Sequence, residues 1–227
     1  MKATFYGHAT IALELAGANV LFDPFITPNE QAQHIDINTL KPDYIMLSHA
    51  HEDHVADVAA IQKNSDATVV AIVETAAWVG RQGISQDKII AFNFGGTLKT
   101  SFGTAKMVYA LHTNGTPDQQ YGGVAAGYLI KSGDKKIYFA GDTALTLEMK
   151  LLADEQLDWA ILPIGDHYTM GVDDAIKAAG FVNCKNIIGI HYNTFPPIKI
   201  NEEEAKQKFA AAGLNLHLLA IGESITL

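Results

Sequence analysis

Apolar residues in this chain come in short runs of four to eight, cut by polar turns, and the period of each run predicts its element. "ATFYG", "TIALEL" and, after the turn-like "AGAN", "NVLFD" alternate or favour strands, so the chain opens on an antiparallel trio. Residues 24–41 are polar and proline-marked, longer than a plain connection needs, which is a length at which loops usually serve function. "DYIMLS" then reads as a buried strand and "DHVADVAAIQKN" as a helix, with acid near its start and Lys63 near its end. "ATVVAIV" is a further strand and "ETAAWVGRQG" a short helix closed by Gly83. Between residues 88 and 140 the strands "KIIAFN", "TLKTS", "AKMVYALH", "VAAGYLIKS" and "KKIYFAGD" follow one another. The remainder alternates: helix over 145–155, strand "DWAILPI", helix 172–182, strand "NIIGIH", helix 202–212, strand "NLHLLAI". No linker, low-complexity stretch or internal repeat interrupts this order, so residues 1–227 read as a single α/β domain. Two packed sheets covered by helices satisfy it better than one parallel sheet.

Composition narrows the function classes. The chain is 48% hydrophobic and 18% charged, values of an ordinary globular protein with a substantial core. Its net charge is −9 with no basic run, which argues against nucleic acid and against anionic membranes as partners. The N-terminal apolar run is broken by His8 and Glu14, so it is no signal peptide, and nothing approaches 18 consecutive apolar residues. One cysteine, Cys184, excludes an internal disulfide and fits a reducing, cytoplasmic setting.

The chemistry concentrates in "YIMLSHAHEDH", residues 44–54, where a buried strand ends in three histidines and two acids within six positions. So many polar groups beside a core need partners, and a metal ion is an economical one. His49 and His51, one residue apart on an extended segment, reach the same side, while Asp53 and His54 are adjacent where the chain turns into a helix and Glu52 points away. The pattern is not the helix-borne H-E-x-x-H of metalloproteases, since His51 and His54 are three apart. Asp23, His112, Asp142 and His191 each close an apolar run, the place from which a side chain reaches a cleft at a sheet edge. The donors are nitrogen and oxygen with no thiolate, which suits Zn²⁺, Mn²⁺, Fe²⁺, Co²⁺ or Ni²⁺ and disfavours a cysteine-based structural zinc site. His8 lies in "GHA" at a strand end, and Asp23 either serves as a turn residue before Pro24 or fixes the tautomer of a ligating imidazole. Asp166 and His167, in "PIGDHYTMG", either line a pocket or cap a turn. His34 reads as solvated, His217 as a core histidine and Cys184 as inert.

"HAHEDH" resembles the H-x-H-x-D-H signature of the metallo-β-lactamase superfamily, and His112, Asp142 and His191 follow in the order of its remaining ligands. "YGHAT", "DPF", "PIGDHYTMG" and "HYNTFPPI" are similar to a family of small bacterial and archaeal metal-dependent hydrolases within it, related to the lactonases of ascorbate 6-phosphate. The resemblance covers the whole chain and implies a four-layer αββα sandwich of two mixed β-sheets flanked by helices. It implies two divalent metal ions per chain, Zn²⁺ first among the candidates. His49, His51 and His112 would hold the first, Asp53, His54 and His191 the second, and Asp142 would bridge them. A hydroxide shared by the metals would cleave an ester, lactone or phosphodiester of a small molecule, with Asp53, Asp142 and His191 as the catalytic set. Family members often associate, so a homo-oligomer is compatible. Two alternatives stand beside this reading: a sugar-phosphate lactonase, which would want cations although Arg81 is the only arginine, and a metal-binding module without turnover.

Overall fold

The computed structural model describes all residues, Met1–Leu227. Its first sheet is built from β1 (Lys2–Gly7), β2 (Thr10–Leu15), β3 (Ala18–Phe22), β4 (Tyr44–Met46), β5 (Thr68–Ile72) and β6 (Ile89–Phe92), side by side in that order. The first three run antiparallel, as tight turns allow, and β3 to β6 run parallel, joined by the long 23–43 loop and then by helical crossovers. The second sheet contains β7 (Thr97–Thr100), β8 (Gly103–Tyr109), β9 (Ala126–Ser132), β10 (Lys135–Phe139), β11 (Trp159–Pro163), β12 (Asn186–Ile190) and β13 (Asn215–His217), antiparallel from β7 to β10 and parallel beyond. β14 (Ser224–Thr226), not expected from the sequence, returns to the first sheet beside β1. Both sheets are thus mixed and seven-stranded.

Three apolar layers hold the stack together. The middle one lies between the sheets, where Ile11, Leu13, Phe22, Met46, Tyr128, Ile130 and Phe139 interdigitate, with the Phe22 and Phe139 rings stacked at 4.4 Å. Each such side chain contributes about 1.5–3 kcal/mol by leaving water. Over the first sheet, α2 (Val58–Ser65) and α3 (Val73–Arg81), preceded by the single turn α1 (Glu52–Val55), press Val58, Ile61, Trp78 and Val79 onto Ile45, Val69 and Ala71. Over the second, α4 (Val172–Phe181) and α5 (Glu202–Ala211) bring Ala175, Ala178 and Phe209 against Leu162 and Ile187. This is the αββα sandwich of the resemblance. No helix is long and apolar enough to cross a membrane.

Three local expectations need correction. The single helix read in "DHVADVAAIQKN" is two, because Asp57 leaves helical geometry to accept from the amides of Ile26 (2.6 Å) and Thr27 (2.8 Å), pinning the long 24–41 loop. The helix over 145–155 is a 3-10 segment, Leu147–Glu155, whose first bond runs from the Met149 amide to the Thr146 carbonyl. "NLHLLAI" pairs with β12 only over Asn215–His217, after which Leu219 leaves the sheet to pack into the central layer.

Candidate metal centre

Strand direction decides where the chemistry gathers. β1, β3, β4, β5, β8, β10, β11 and β12 all end at one edge of the sandwich, and the predicted site residues lie on segments that follow strands there, His8 directly after β1. Asp23 follows β3, His49 to His54 follow β4, and His191 follows β12 directly, whereas β8 stops at Tyr109 and β10 at Phe139, leaving His112 and Asp142 on loops. His8, Asp23 and His191 adopt positive φ, 55°, 45° and 55°. These are conformations that side-chain-bearing residues rarely take and that the surrounding structure must enforce. Gly141, at φ 61°, has the opposite role: a Cβ there would stand 2.5 Å from Ser48 Cβ, so only glycine lets the Asp142 loop close on the histidine loop.

Two groups of donor atoms result, each within 4.8 Å internally, His49, His51 and His112 in one, His8, Asp53, His54 and His191 in the other; a third, Asp23, His49 and His54, shares a histidine with each. Asp142 Oδ2 lies between them, 3.6 Å from His112 Nε2, 3.3 Å from His54 Nε2 and 3.0 Å from His191 Nε2. Asp53 Oδ1 is 4.0 Å from His54 Nε2, and its Oδ2 is held by His8 Nε2 at 3.1 Å. The other His8 nitrogen meets Thr194 Oγ1 at 3.0 Å, and the His8 carbonyl accepts from the His191 amide at 2.7 Å.

Asp23, fully buried, orders the tautomers. Its carboxylate accepts from the Ser48 amide (2.7 Å), from Ser48 Oγ (2.5 Å) and from His54 Nδ1 (2.9 Å). With its proton committed to Asp23, Ser48 Oγ accepts from His49 Nδ1 at 2.9 Å. Both imidazoles therefore commit Nδ1 to donation and turn Nε2 inward, the arrangement an outer carboxylate imposes on a metal-binding histidine. His49 Nε2 then faces His51 Nδ1 at 3.0 Å, while His54 Nε2 and Asp142 Oδ1 are buried without any hydrogen-bond partner. Imidazole nitrogens and carboxylate oxygens converging on one space, with His54 Nε2 and Asp142 Oδ1 left unpartnered, are what a cation resolves, so the residues present fit divalent ions.

The charge states agree with that reading. Burial pushes the His49 imidazole well below its ordinary value, lowers that of His51, and takes His112 and His8 down to about 4. His54 is the exception: burial lowers it, but the carboxylates of Asp142, Asp23 and Asp53 overcome burial and raise it well above the ordinary histidine value. Burial opposes ionisation of Asp142 and Asp53, yet both are held low, Asp142 by His191 and His54, Asp53 by His54 and His8. Asp23, by contrast, is raised by burial.

Asp166 and His167 stand apart from both groups. They are exposed, and Asp166 Oδ1 accepts from the His167 amide in a local turn. His34 is exposed, and the His217 ring packs 5.0 Å from Trp159. Cys184 is buried, with its thiol pushed up to about 11 by burial. Sequence reasoning missed Ser48, Thr194 and Asn114. Asn114 Oδ1 accepts from the Ala50 amide at 2.8 Å, and its Nδ2 donates to the Gly122 carbonyl at 2.7 Å, locking the histidine loop to the 110–125 loop. The one available signal was the small polar residue directly before His49.

Similarity to known proteins points the same way. The β-lactamase superfamily domain model matches residues 18–192. A "UPF0173 metal-dependent hydrolase" of Flavobacterium johnsoniae is 50% identical over 228 residues, and one of Methylacidiphilum infernorum 42% identical over 228, each alignment covering 100% of both chains. Among solved structures, a metallo hydrolase from the archaeon Ignicoccus hospitalis is similar with a TM-score of 0.88 at 31% identity, over 99% of this chain and 97% of that one. With end-to-end similarity at this level, and a donor set shaped for divalent ions at one edge of the sandwich, the chain belongs to the β-lactamase superfamily, among its metal-dependent hydrolases.

Proposed function

We propose that the chain hydrolyses a small-molecule ester, lactone or phosphodiester at a two-metal centre. His49, His51 and His112 hold one ion, Asp53, His54 and His191 the other, and Asp142 lies between. The observation that carries this reading is the position of Asp142 Oδ2, within 3.0–3.6 Å of imidazole nitrogens from both donor groups. Bound divalent ions, with Zn²⁺, Mn²⁺, Fe²⁺, Co²⁺ and Ni²⁺ all matching the donors, polarise the substrate and make water nucleophilic near neutral pH.

The chain's own groups do the rest. Asp142 Oδ1, buried and without a partner, is an acceptor free to hold one proton of the attacking water and fix its direction. Asp53 is the carboxylate of the set with solvent access, its side chain 29% exposed; held ionised, it is the group to accept the proton given up by the attacking water and pass it to the leaving oxygen. His8, anchored by Thr194, keeps that carboxylate in place.

Metal analysis of protein purified without a chelating tag, together with turnover of chromogenic esters and bis-phosphodiesters, tests the proposal. About two transition metals per chain and slow but measurable hydrolysis are expected. Asp142→Asn should lower hydrolysis by at least about a hundredfold, since it removes a group that serves both ions. Full metal occupancy with no turnover across the panel would instead mark a metal-holding module that is no enzyme.

A further inference from the structure

The loops that frame the donor groups are 23–33, 48–57, 110–125, 140–147, 164–171 and 191–198, and none of the chain's 16 lysines and arginines lies in any of them. The cations flanking them in sequence have partners elsewhere: Lys150 sits over the Phe181 ring at 4.6 Å, and Lys199 lines a cavity whose acids are Asp166, Asp173, Asp174 and Glu204 and which holds none of the donor residues. The same loops expose the acids Glu52, Asp118 and Asp166. Helix starts offer no substitute for missing cations. α1, α3 and α4 all begin at this edge, and each carries acid in its first turn, Glu52 and Asp53, Glu74, and Asp173 and Asp174. Those carboxylates already answer the positive end of each helix dipole.

What the edge shows instead is apolar. Val73, Leu111, Tyr121, Leu147 and Tyr168 are each 46–70% exposed, all on segments that follow or precede strands at this edge. Leu111 is next in sequence to His112, and its backbone is tied to the Asp142 loop by its amide to Thr143 Oγ1 (3.0 Å) and its carbonyl to the Ala144 amide (3.0 Å). The Met170 amide in turn meets the Thr143 carbonyl at 3.0 Å, drawing the loop of Tyr168 to the same rim. Large apolar side chains left in water beside a polar centre need a reason, and contact with an apolar ligand supplies one.

We infer that the part of the substrate flanking the scissile bond is uncharged and apolar, an alkyl or aryl group, and carries neither phosphate nor carboxylate. The inference rests on the hydrolase reading above and selects within it, against the sugar-phosphate alternative. The polar contacts belong to the reacting bond, and the rim of leucine and tyrosine encloses what lies beyond it.

The test compares 4-nitrophenyl hexanoate with the 4-nitrophenyl monoester of adipic acid, equal in chain length and leaving group but differing by a terminal carboxylate, on the metal-loaded protein. kcat/KM, corrected for the alkaline reactivity of each ester, should favour the hexanoate by at least about tenfold, the scale on which apolar pockets discriminate. Leu111→Lys, at an exposed position, should narrow that ratio at least about fivefold with an unchanged melting temperature. Equal or better use of the adipate ester by the wild type would overturn the inference. Binding of hexananilide and adipic monoanilide, read by NMR shifts of the tyrosine rings, separates the two readings. Tighter binding of the neutral anilide without any ester turnover sinks the hydrolase and keeps only the rim's preference for an uncharged, apolar ligand, whereas tighter binding of the anion, or of neither, sinks the inference itself.

Discussion

Asp23→Asn isolates the tautomer argument, because it changes a charge and two lone pairs while leaving shape intact. Asparagine tolerates the φ of 45° better than most residues, and its carbonyl can still accept from the Ser48 amide. The amide nitrogen, however, replaces an oxygen that accepts from both Ser48 Oγ and His54 Nδ1. His54 must then present a lone pair at Nδ1 and carry its proton on Nε2, the atom that faces Asp142 at 3.3 Å. Through Ser48 the same reversal reaches His49. Losing an outer partner of this kind lowers metal affinity about 10- to 100-fold, or about 1.4–2.7 kcal/mol. The fold should suffer less than two disrupted hydrogen bonds suggest, because burial already disfavours the Asp23 carboxylate and the amide relieves that penalty. Competition against a chromophoric chelator at pH 7.5, with calorimetric melting of the metal-free protein, measures both quantities. A variant that binds metal as tightly as the wild type would refute the argument that Asp23 sets the ligating nitrogens.

Two further outcomes follow from the geometry. Without metal, the carboxylates of Asp142, Asp23 and Asp53 raise His54 well above the ordinary histidine value, whereas burial lowers His49, His51 and His112. Loading the group that contains His54 should therefore release at least one proton and strengthen about tenfold per pH unit as pH rises through neutrality, shown by titration calorimetry in buffers of different ionisation enthalpy. A His54→Gln variant, which keeps the other group, should release less; equal release would refute this. Gly165→Ala puts a Cβ 2.0 Å from the carbonyl oxygen of His191, a backbone atom that moves only with the strand end. It should destabilise by about 3 kcal/mol and lower Tm by roughly 6–12 °C, and a shift below about 2 °C would show that the strand end is softer than its packing implies.

The alternation of apolar runs and the crowding of His49, His51, Asp53 and His54 are local properties. Strand period and ligand spacing are written within a few residues, which is why the order of elements and the signature were legible in the sequence. Helix ends and short strands were less so, because tertiary bonds decide them: Asp57 breaks a helix by turning to the amides of Ile26 and Thr27, and β14 exists only because β1 offers an open edge. The partners of the signature were readable only as strand-end candidates. Asp23 lies 31 residues from His54, and His8 lies 45 from Asp53, and nothing in a linear pattern encodes that the first accepts from an imidazole while the second holds a carboxylate. That choice belongs to the packing of two sheets, which brings the strand ends to one edge and forces His8, Asp23 and His191 into left-handed conformations. Asp166 and His167 sit on a loop at the same edge and turn outward, so their shared placement alone did not make them part of the centre. The sequence by itself determined which atoms are available to hold a metal. Only the tertiary structure decided which nitrogen of each ring faces inward and that Leu111, Tyr121, Leu147 and Tyr168 stand exposed at the same edge, because both depend on neighbours far away in the chain.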